Sequence, residues 1–350
     1  MRTLLLLLAF TAGAIAQTLP ELQRAIVHVE VDDHARLRAA KLVRERAPTA
    51  TLRRLRITQP YRLVLSGVAI SAEGEIVVPA LHPRADLRVE VVFHDGKRLL
   101  ATMIGTDPQT NIALIKVPNA LKYFLPLAEG NAAIKTAVTL LGHVNRSDRR
   151  EAMSTASEIS RDHMPANVHD FYSGRIYTSA LAIAVTINQR ALRAGAACVN
   201  PKGELAGLIV GRLPPRQRAV GGQTYLFRGQ CIQPVARIRR VVSDLRKHGH
   251  VRRAYWGVKA AQVPADLRAH FDVAESSVYV RELKRNGPAE RAGLRQNDIL
   301  LSLDGKTYRS ACAFGEALSD QRPHTPVKLD ILRGGKRLTL TATPELKTDR

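Results

Sequence analysis

Asn286-Gly287-Pro288-Ala289-Glu290-Arg291-Ala292-Gly293-Leu294, followed by Asn297-Asp298-Ile299-Leu300-Leu301-Ser302-Leu303-Asp304-Gly305, decides the architecture of the C-terminal third of this chain. Proline at the start and glycine at the end delimit a short helix. The apolar run 298–303 reads as a strand, and Asp304-Gly305 is the turn that ends it. Downstream, residues 311–318 read as a helix. Residues 327–332 and 337–342 read as a hairpin around Gly334-Gly335. Upstream, Tyr255-Trp256-Gly257-Val258 precedes a helix-like stretch, 264–270, and a strand, 277–281. Together these form an α+β unit of about ninety residues, an ordinary domain size.

Before that unit the pattern is β-rich. Residues 25–31 alternate and are β-branched, so they read as a strand. Short strands follow at 64–70, 75–78, 87–93, 98–104, 111–117 and 137–142, with turns at Glu73-Gly74 and Asp95-Gly96. The series continues at 176–187, 197–200, 204–210 and 229–233. Residues 235–248 read as a helix with Val241, Val242 and Leu245 on one face. Many short strands at regular spacing predict an all-β barrel or sandwich.

Composition narrows the function. The chain has 350 residues, 45% of them hydrophobic, enough for two or three packed domains and against general disorder. Aromatics at 5% disfavour a base-stacking platform. Three cysteines without a CxxC pair exclude a disulfide scaffold and argue against structural zinc. The net charge is +22, with 40 Arg and 13 Lys. Such a charge invites a nucleic-acid reading.

The N-terminus argues against that reading. Met1-Arg2-Thr3 is a basic start, residues 4–10 are apolar, and Ala14-Ile15-Ala16 is a small-x-small cleavage site. This is the layout of a secretory signal peptide, and the apolar run is short for a membrane span. The expectation is an exported chain, periplasmic or secreted, cleaved after Ala16, with no nucleic-acid partner. The excess charge concentrates at 34–62 and 237–253. Solvated helix faces and linker account for it, and docking on an anionic envelope surface is the alternative.

The C-terminal unit resembles a bacterial, circularly permuted PDZ domain, through 255–258, Val280, 286–294, 297–300 and Asp304-Gly305. Residues 64–234 resemble the trypsin-like double barrel of the HtrA/Deg proteases. The matching runs are Ser66-Gly67-Val68-Ala69-Ile70, Gly74-Glu75-Ile76-Val77, Gly105 to Val117, Leu125-Pro126-Leu127-Ala128, Gly142 and Asn200 to Leu208. The implied fold class is mostly β: a double six-stranded β-barrel followed by an α+β PDZ domain. The implied organisation is a signal peptide at 1–16 and an N-terminal strand and basic segment at 17–62. That strand joins the first barrel. The protease-like domain spans 63–250 and the PDZ domain 251–345. Trimer assembly is implied by the family alone.

Serine-protease chemistry needs an activated hydroxyl, a base, a carboxylate that orients the base, and backbone N–H groups for the oxyanion. The resemblance assigns these positions to Leu81, Asn111 and Ala194, none of which has the required chemistry. Seven residues separate Gly74 from Leu81 and thirty separate Leu81 from Asn111, as the family spacing requires. His82 is one residue late, and a one-residue slip on a strand reverses the side chain. Only a bulge there rescues it as a base. Asparagine orients an imidazole but cannot balance its charge, and an Asp-to-Asn change in a serine protease triad costs about 10⁴ in turnover. Leu192 stands where the family has an oxyanion-loop glycine. The expectation is a pseudoprotease without catalytic residues. A serine endopeptidase with a remodelled site, serving periplasmic quality control, is the alternative.

Asp162-His163 and His169-Asp170 flank a stretch that reads as a solvated loop and lack the convergence a metal needs. Neither a metal nor a cofactor is expected. Cys198 and Cys231 are expected as unpaired core thiols, and Cys312 as a packed helix residue. The PDZ resemblance implies capture of protein or peptide C-termini. Tyr255, Trp256, Gly257 and Val258 would form the carboxylate loop, and Phe314 and Leu318 a wall of the groove. Helical spacing alone serves a core and a groove equally well, so Trp256, Phe314 and Leu318 carry both readings.

Overall fold

The computed structural model describes residues 18–33, 62–81, 87–144, 152–169, 176–187, 192–212, 216–220, 223–275, 277–308 and 311–347. The expected signal peptide at 1–16, the basic segment at 34–61, His82 and Asp170 lie outside them. Among the described residues, one compact unit holds 18–161, 168–176 and 182–250, and a second holds 162–167, 177–181 and 251–347.

The first unit opens with α1 (Leu19–Arg24), whose N-cap Thr18 and Glu21 form a capping box. Six strands then close a barrel: β1 (Ile26–Asp33), β2 (Arg62–Ala69), β3 (Glu75–Val78), β4 (Leu87–Val92), β5 (Arg98–Asp107) and β6 (Ile112–Lys116). Their order is β1-β2-β3-β6-β5-β4, closed by β4 on β1. Alternation on β1 puts Val27, Val29 and Val31 inward with Leu65, Ile76, Val78, Val89, Val91, Ala113 and Ile115. Fully burying each Val, Leu or Ile is worth roughly 1.5–3 kcal/mol.

A second sheet contains β7 (Ala137–Gly142), β8 (Met153–His169), β9 (Ile176–Ile187), β10 (Ala197–Val199), β11 (Leu205–Arg212), β12 (Arg216–Val220) and β13 (Gln223–Pro234). Its order is β11-β10-β7-β8-β9-β13-β12, and an added β11–β13 pairing closes six of the strands into a ring with β12 appended. The pattern misses β8, β12 and the first half of β13. Residues 162–169 belong to strand β8 and are not a loop. Only Ile159 is buried between Met153 and Ser160, so β8 is held by its ladder to β7 and gives no apolar alternation to read. Helix α2 (Val235–His248) closes this unit. It buries Val235, Ile238, Val241, Val242 and Leu245, and its last turn is basic, as the helix dipole favours.

The second unit is an α+β fold. A five-stranded antiparallel sheet runs β15 (Val258–Gln262), β16 (Val278–Leu283), β17 (Ile299–Leu303), β18 (Val327–Arg333) and β19 (Lys336–Ala342). Short strands β14 (Ala254–Tyr255) and β20 (Glu345–Leu346) pair separately. Helices α3 (Ala265–Phe271), α4 (Pro288–Arg291) and α5 (Ala311–Ser319) complete it. Asp298 is buried and holds Arg333 through two hydrogen bonds of 2.7 Å, while accepting the Arg295 N–H. No described helix is long and apolar enough to cross a membrane.

Candidate functional site

The site of the first unit is built where β2 meets the loop before β10. Ser66 N–H donates to the Ala194 carbonyl at 3.0 Å. The next residue, Gly195, has φ +87°, and a Cβ there would lie 1.7 Å from the Ser66 carbonyl oxygen. Only glycine permits that approach. Gly195 N–H donates to Ile209 O at 2.7 Å, and Arg193 N–H to His143 O at 2.7 Å. Leu192 bridges Val144 and packs into the second barrel's core with Val138, Leu140 and Ile159. The loop is therefore zipped to both barrels. Its Arg193 amide is committed to a carbonyl, and the residue in the glycine position is a core side chain.

Asn111 is fully buried with φ +56°, a backbone region that asparagine tolerates. Its Oδ1 accepts the Ala80 N–H at 3.0 Å, and its Nδ2 donates to Val210 O at 3.2 Å. The carboxamide thus ties the segment before Leu81 to β11. Leu81 is completely buried in the first barrel's core, among the valines of β1. The structure brings Asn111 and the residue before Leu81 together. It turns the Leu81 side chain into the core.

The sequence reading missed a buried polar cluster beside this loop. Ser66 Oγ lies 3.0 Å from His143 Nδ1 and accepts the His143 N–H at 3.2 Å. The His143 ring stacks on His28 with centroids 3.5 Å apart. All three side chains are buried. The available signal was His28 breaking the apolar run of β1, and His143 following Gly142. Cys198 and Cys231 are unpaired and buried on β10 and β13. Burial pushes their thiols up to about 12 and about 11. Asp162, His163 and His169 lie on β8. Among the described residues, no group of three or more His, Cys, Asp and Glu is placed to hold a metal.

In the second unit, Tyr255 ends β14 and Val258 starts β15. Gly257, between them, has φ +69° and packs against Gly287, Lys284 and Pro288. The Trp256 carbonyl accepts the Ala289 N–H and the Gly257 carbonyl accepts the Lys284 N–H. Among the described residues neither the Trp256 nor the Gly257 N–H has an acceptor. β15 is an edge strand, and α5 packs beside it. Trp256, Phe314 and Leu318 come together in one core cluster. The indole N–H donates to Leu318 O at 2.8 Å, and Phe314 is fully buried against Tyr308.

A trypsin-like peptidase domain model matches residues 65–208, and a PDZ domain model matches 265–343. The chain carries a trypsin-like peptidase domain followed by a PDZ domain, and it resembles the HtrA family. Relatives in this family include the periplasmic pH-dependent serine endoprotease DegQ of Escherichia coli K12. It is 26% identical over 294 residues, covering 83% of this chain and 61% of DegQ. The periplasmic serine endoprotease DegP of the same strain is 26% identical over 286 residues, covering 81% of this chain and 57% of DegP. The chain thus spans little more than half the length of these HtrA relatives. Among solved structures, the HtrA-type protease AlgW with a tripeptide shares the fold at a TM-score of 0.63 and 22% identity. That match covers 94% of this chain and 95% of AlgW. The serine endoprotease from Yersinia pestis matches at 0.57 and 18%, covering 96% and 100%.

Proposed function

We propose that this chain is an exported, periplasmic pseudoprotease that binds peptide or protein C-termini through its PDZ domain and does not hydrolyse peptide bonds. One observation carries the reading. At the nucleophile position, Ala194 has no hydroxyl, and its loop is fastened down by Ser66, His143 and Ile209. Three further features support it. Leu81 is spent on core packing, the Asn111 carboxamide bridges two backbone groups, and Leu192 fills the second barrel. Restoring one hydroxyl leaves the base, the carboxylate and the oxyanion donors unsupplied.

Peptide capture rests on the Trp256 and Gly257 N–H groups, which have no acceptor among the described residues, beside the edge strand β15. A terminal carboxylate accepts from such a pair while the peptide adds as a strand. Trp256, Phe314 and Leu318 hold the core beneath. Export follows from the N-terminal signal pattern and agrees with the periplasmic relatives.

The test of catalysis is casein cleavage by the mature chain, Ala194→Ser and His82→Ala. The expected result is no turnover in any of them. Serine-hydrolase turnover that His82→Ala abolishes would establish a remodelled active site and end this reading. For the PDZ unit, C-terminal peptides are titrated against their amidated forms. The free acids are expected to bind more tightly, and equal affinity would reject carboxylate capture.

A further inference from the structure

The first barrel carries a cavity of about 270 Å³, lined by residues of α1, the β4–β5 turn and the segment after β6. Its floor is Phe93, Leu99 and Leu121. Its ionisable groups are Arg24, His94, Asp95, Lys97 and Lys122. Three of these are permanent cations and one is a carboxylate, whose Oδ1 already accepts the Lys97 N–H.

Tyr123 organises the cluster. Arg24 Nη1 donates to the Tyr123 hydroxyl at 2.8 Å, and Arg24 Cζ lies 5.2 Å from the ring centroid. Lys122 Nζ lies 5.4 Å from the same centroid, and the His94 ring lies 5.7 Å from it. The Arg24 and Lys122 contacts lie within the range where a ring face attracts a cation, yet these two cations repel one another.

On and beside this barrel, other exposed arginines have carboxylates. Arg98 holds Glu30 and Glu90, Arg88 approaches Glu90, and Arg246 holds Glu75. Arg24, Lys97 and Lys122 have none among the described residues, although Lys97 is the chain neighbour of the doubly paired Arg98. The three cations of this concave, aromatic-walled place outnumber its one carboxylate, Asp95, which is already engaged by the Lys97 N–H. A cavity with an apolar floor and a few convergent polar groups is the usual form of a small-ligand site.

We infer that this cavity binds a small polyanion, a molecule carrying two or more clustered phosphate or carboxylate groups. Arg24 and Lys122 clamp one anionic group over Tyr123 while Lys97 meets the next. At this volume the site takes a compact ligand. The site is independent of the PDZ loop and of the protease-like loop.

The test uses the full mature chain, by isothermal titration at low ionic strength, with pyrophosphate and citrate as probes and acetate as the monovalent control. Pyrophosphate and citrate arms separate a phosphate ligand from a carboxylate one. Saturable binding of at least one, with acetate far weaker, is expected. Lys97→Ala with Lys122→Ala should weaken it at least tenfold, on the basis of roughly fivefold per exposed cation removed. Lys259→Ala with Arg281→Ala removes the same charge from the second unit and should leave it unchanged. Equal weakening by both double variants would reduce the effect to overall charge and overturn the proposal. No saturable binding of either probe, or binding only of a long acidic polymer, would overturn it as well. All four positions are solvent-exposed, so the variants are expected to fold, and a thermal melt of each confirms it.

Discussion

Replacing Asn111 with aspartate moves this chain one step toward a working triad and is expected to destabilise it. Asn111 is fully buried, and its Nδ2 donates to Val210 O at 3.2 Å. An aspartate at the same place keeps the Ala80 N–H as donor to one oxygen but turns a second oxygen toward a carbonyl. The Val210 carbonyl then loses its hydrogen bond, which costs about 1–3 kcal/mol. The new carboxylate has no imidazole opposite it, because position 81 is a leucine in the core. Burial without a cation raises a carboxyl pKa by roughly 2–3 units, at about 1.4 kcal/mol each. Protonation restores the donor to Val210, so the two costs overlap, and the total at neutral pH is about 3–4 kcal/mol. The sign is fixed by linkage. The folded pKa lies above the unfolded one, so the penalty is small below about pH 4, grows as pH rises, and levels off above the folded pKa. Urea unfolding of wild type and Asn111→Asp at several pH values measures it. A variant as stable as wild type near pH 7.5, or a gap that shrinks with rising pH, would refute the reasoning.

Other perturbations test other parts of the fold. Gly195→Ala places a Cβ against the Ser66 carbonyl at positive φ; left-handed strain and loss of the Ala194 and Ile209 bonds should cost about 3–4 kcal/mol in unfolding experiments. Mass spectrometry after thiol labelling of the native chain near pH 8 should show one adduct, at the partly exposed Cys312. Cys198 and Cys231 should label only on unfolding, since both are buried and their thiols are pushed far above the assay pH. Asp298→Asn breaks the doubly hydrogen-bonded pair with Arg333 and should lower the stability of the PDZ unit by about 3 kcal/mol, read from its thermal melt.

What the residues made legible was what periodicity and punctuation encode. β1 alternates valines against a buried partner strand, and β17 ends in Asp304-Gly305, so both could be placed from the chain alone. The spacing from Leu81 to Asn111 matched that of the family, and in the fold Asn111 accepts the N–H of Ala80, the residue before Leu81. Side-chain direction was not legible. Nothing in Leu81 says that it joins the barrel core. Trp256, Phe314 and Leu318 fit a groove as well as a core until the indole N–H is seen on Leu318. β8 escaped because a strand fixed by backbone pairing leaves no apolar rhythm. The Ser66, His143 and His28 cluster escaped because three distant segments meet only after both barrels close.

The pairing of β14 with β20 bears on how the PDZ unit carries load. Ala254 faces Leu346, Tyr255 faces Glu345, and Lys347 N–H donates to Arg253 O, so the chain enters and leaves this short ladder at the same end. Tension applied between residues 253 and 347 would load these bonds one after another, so the two-residue ladder is expected to open as a zipper before the longer pairings of the five-stranded sheet give way.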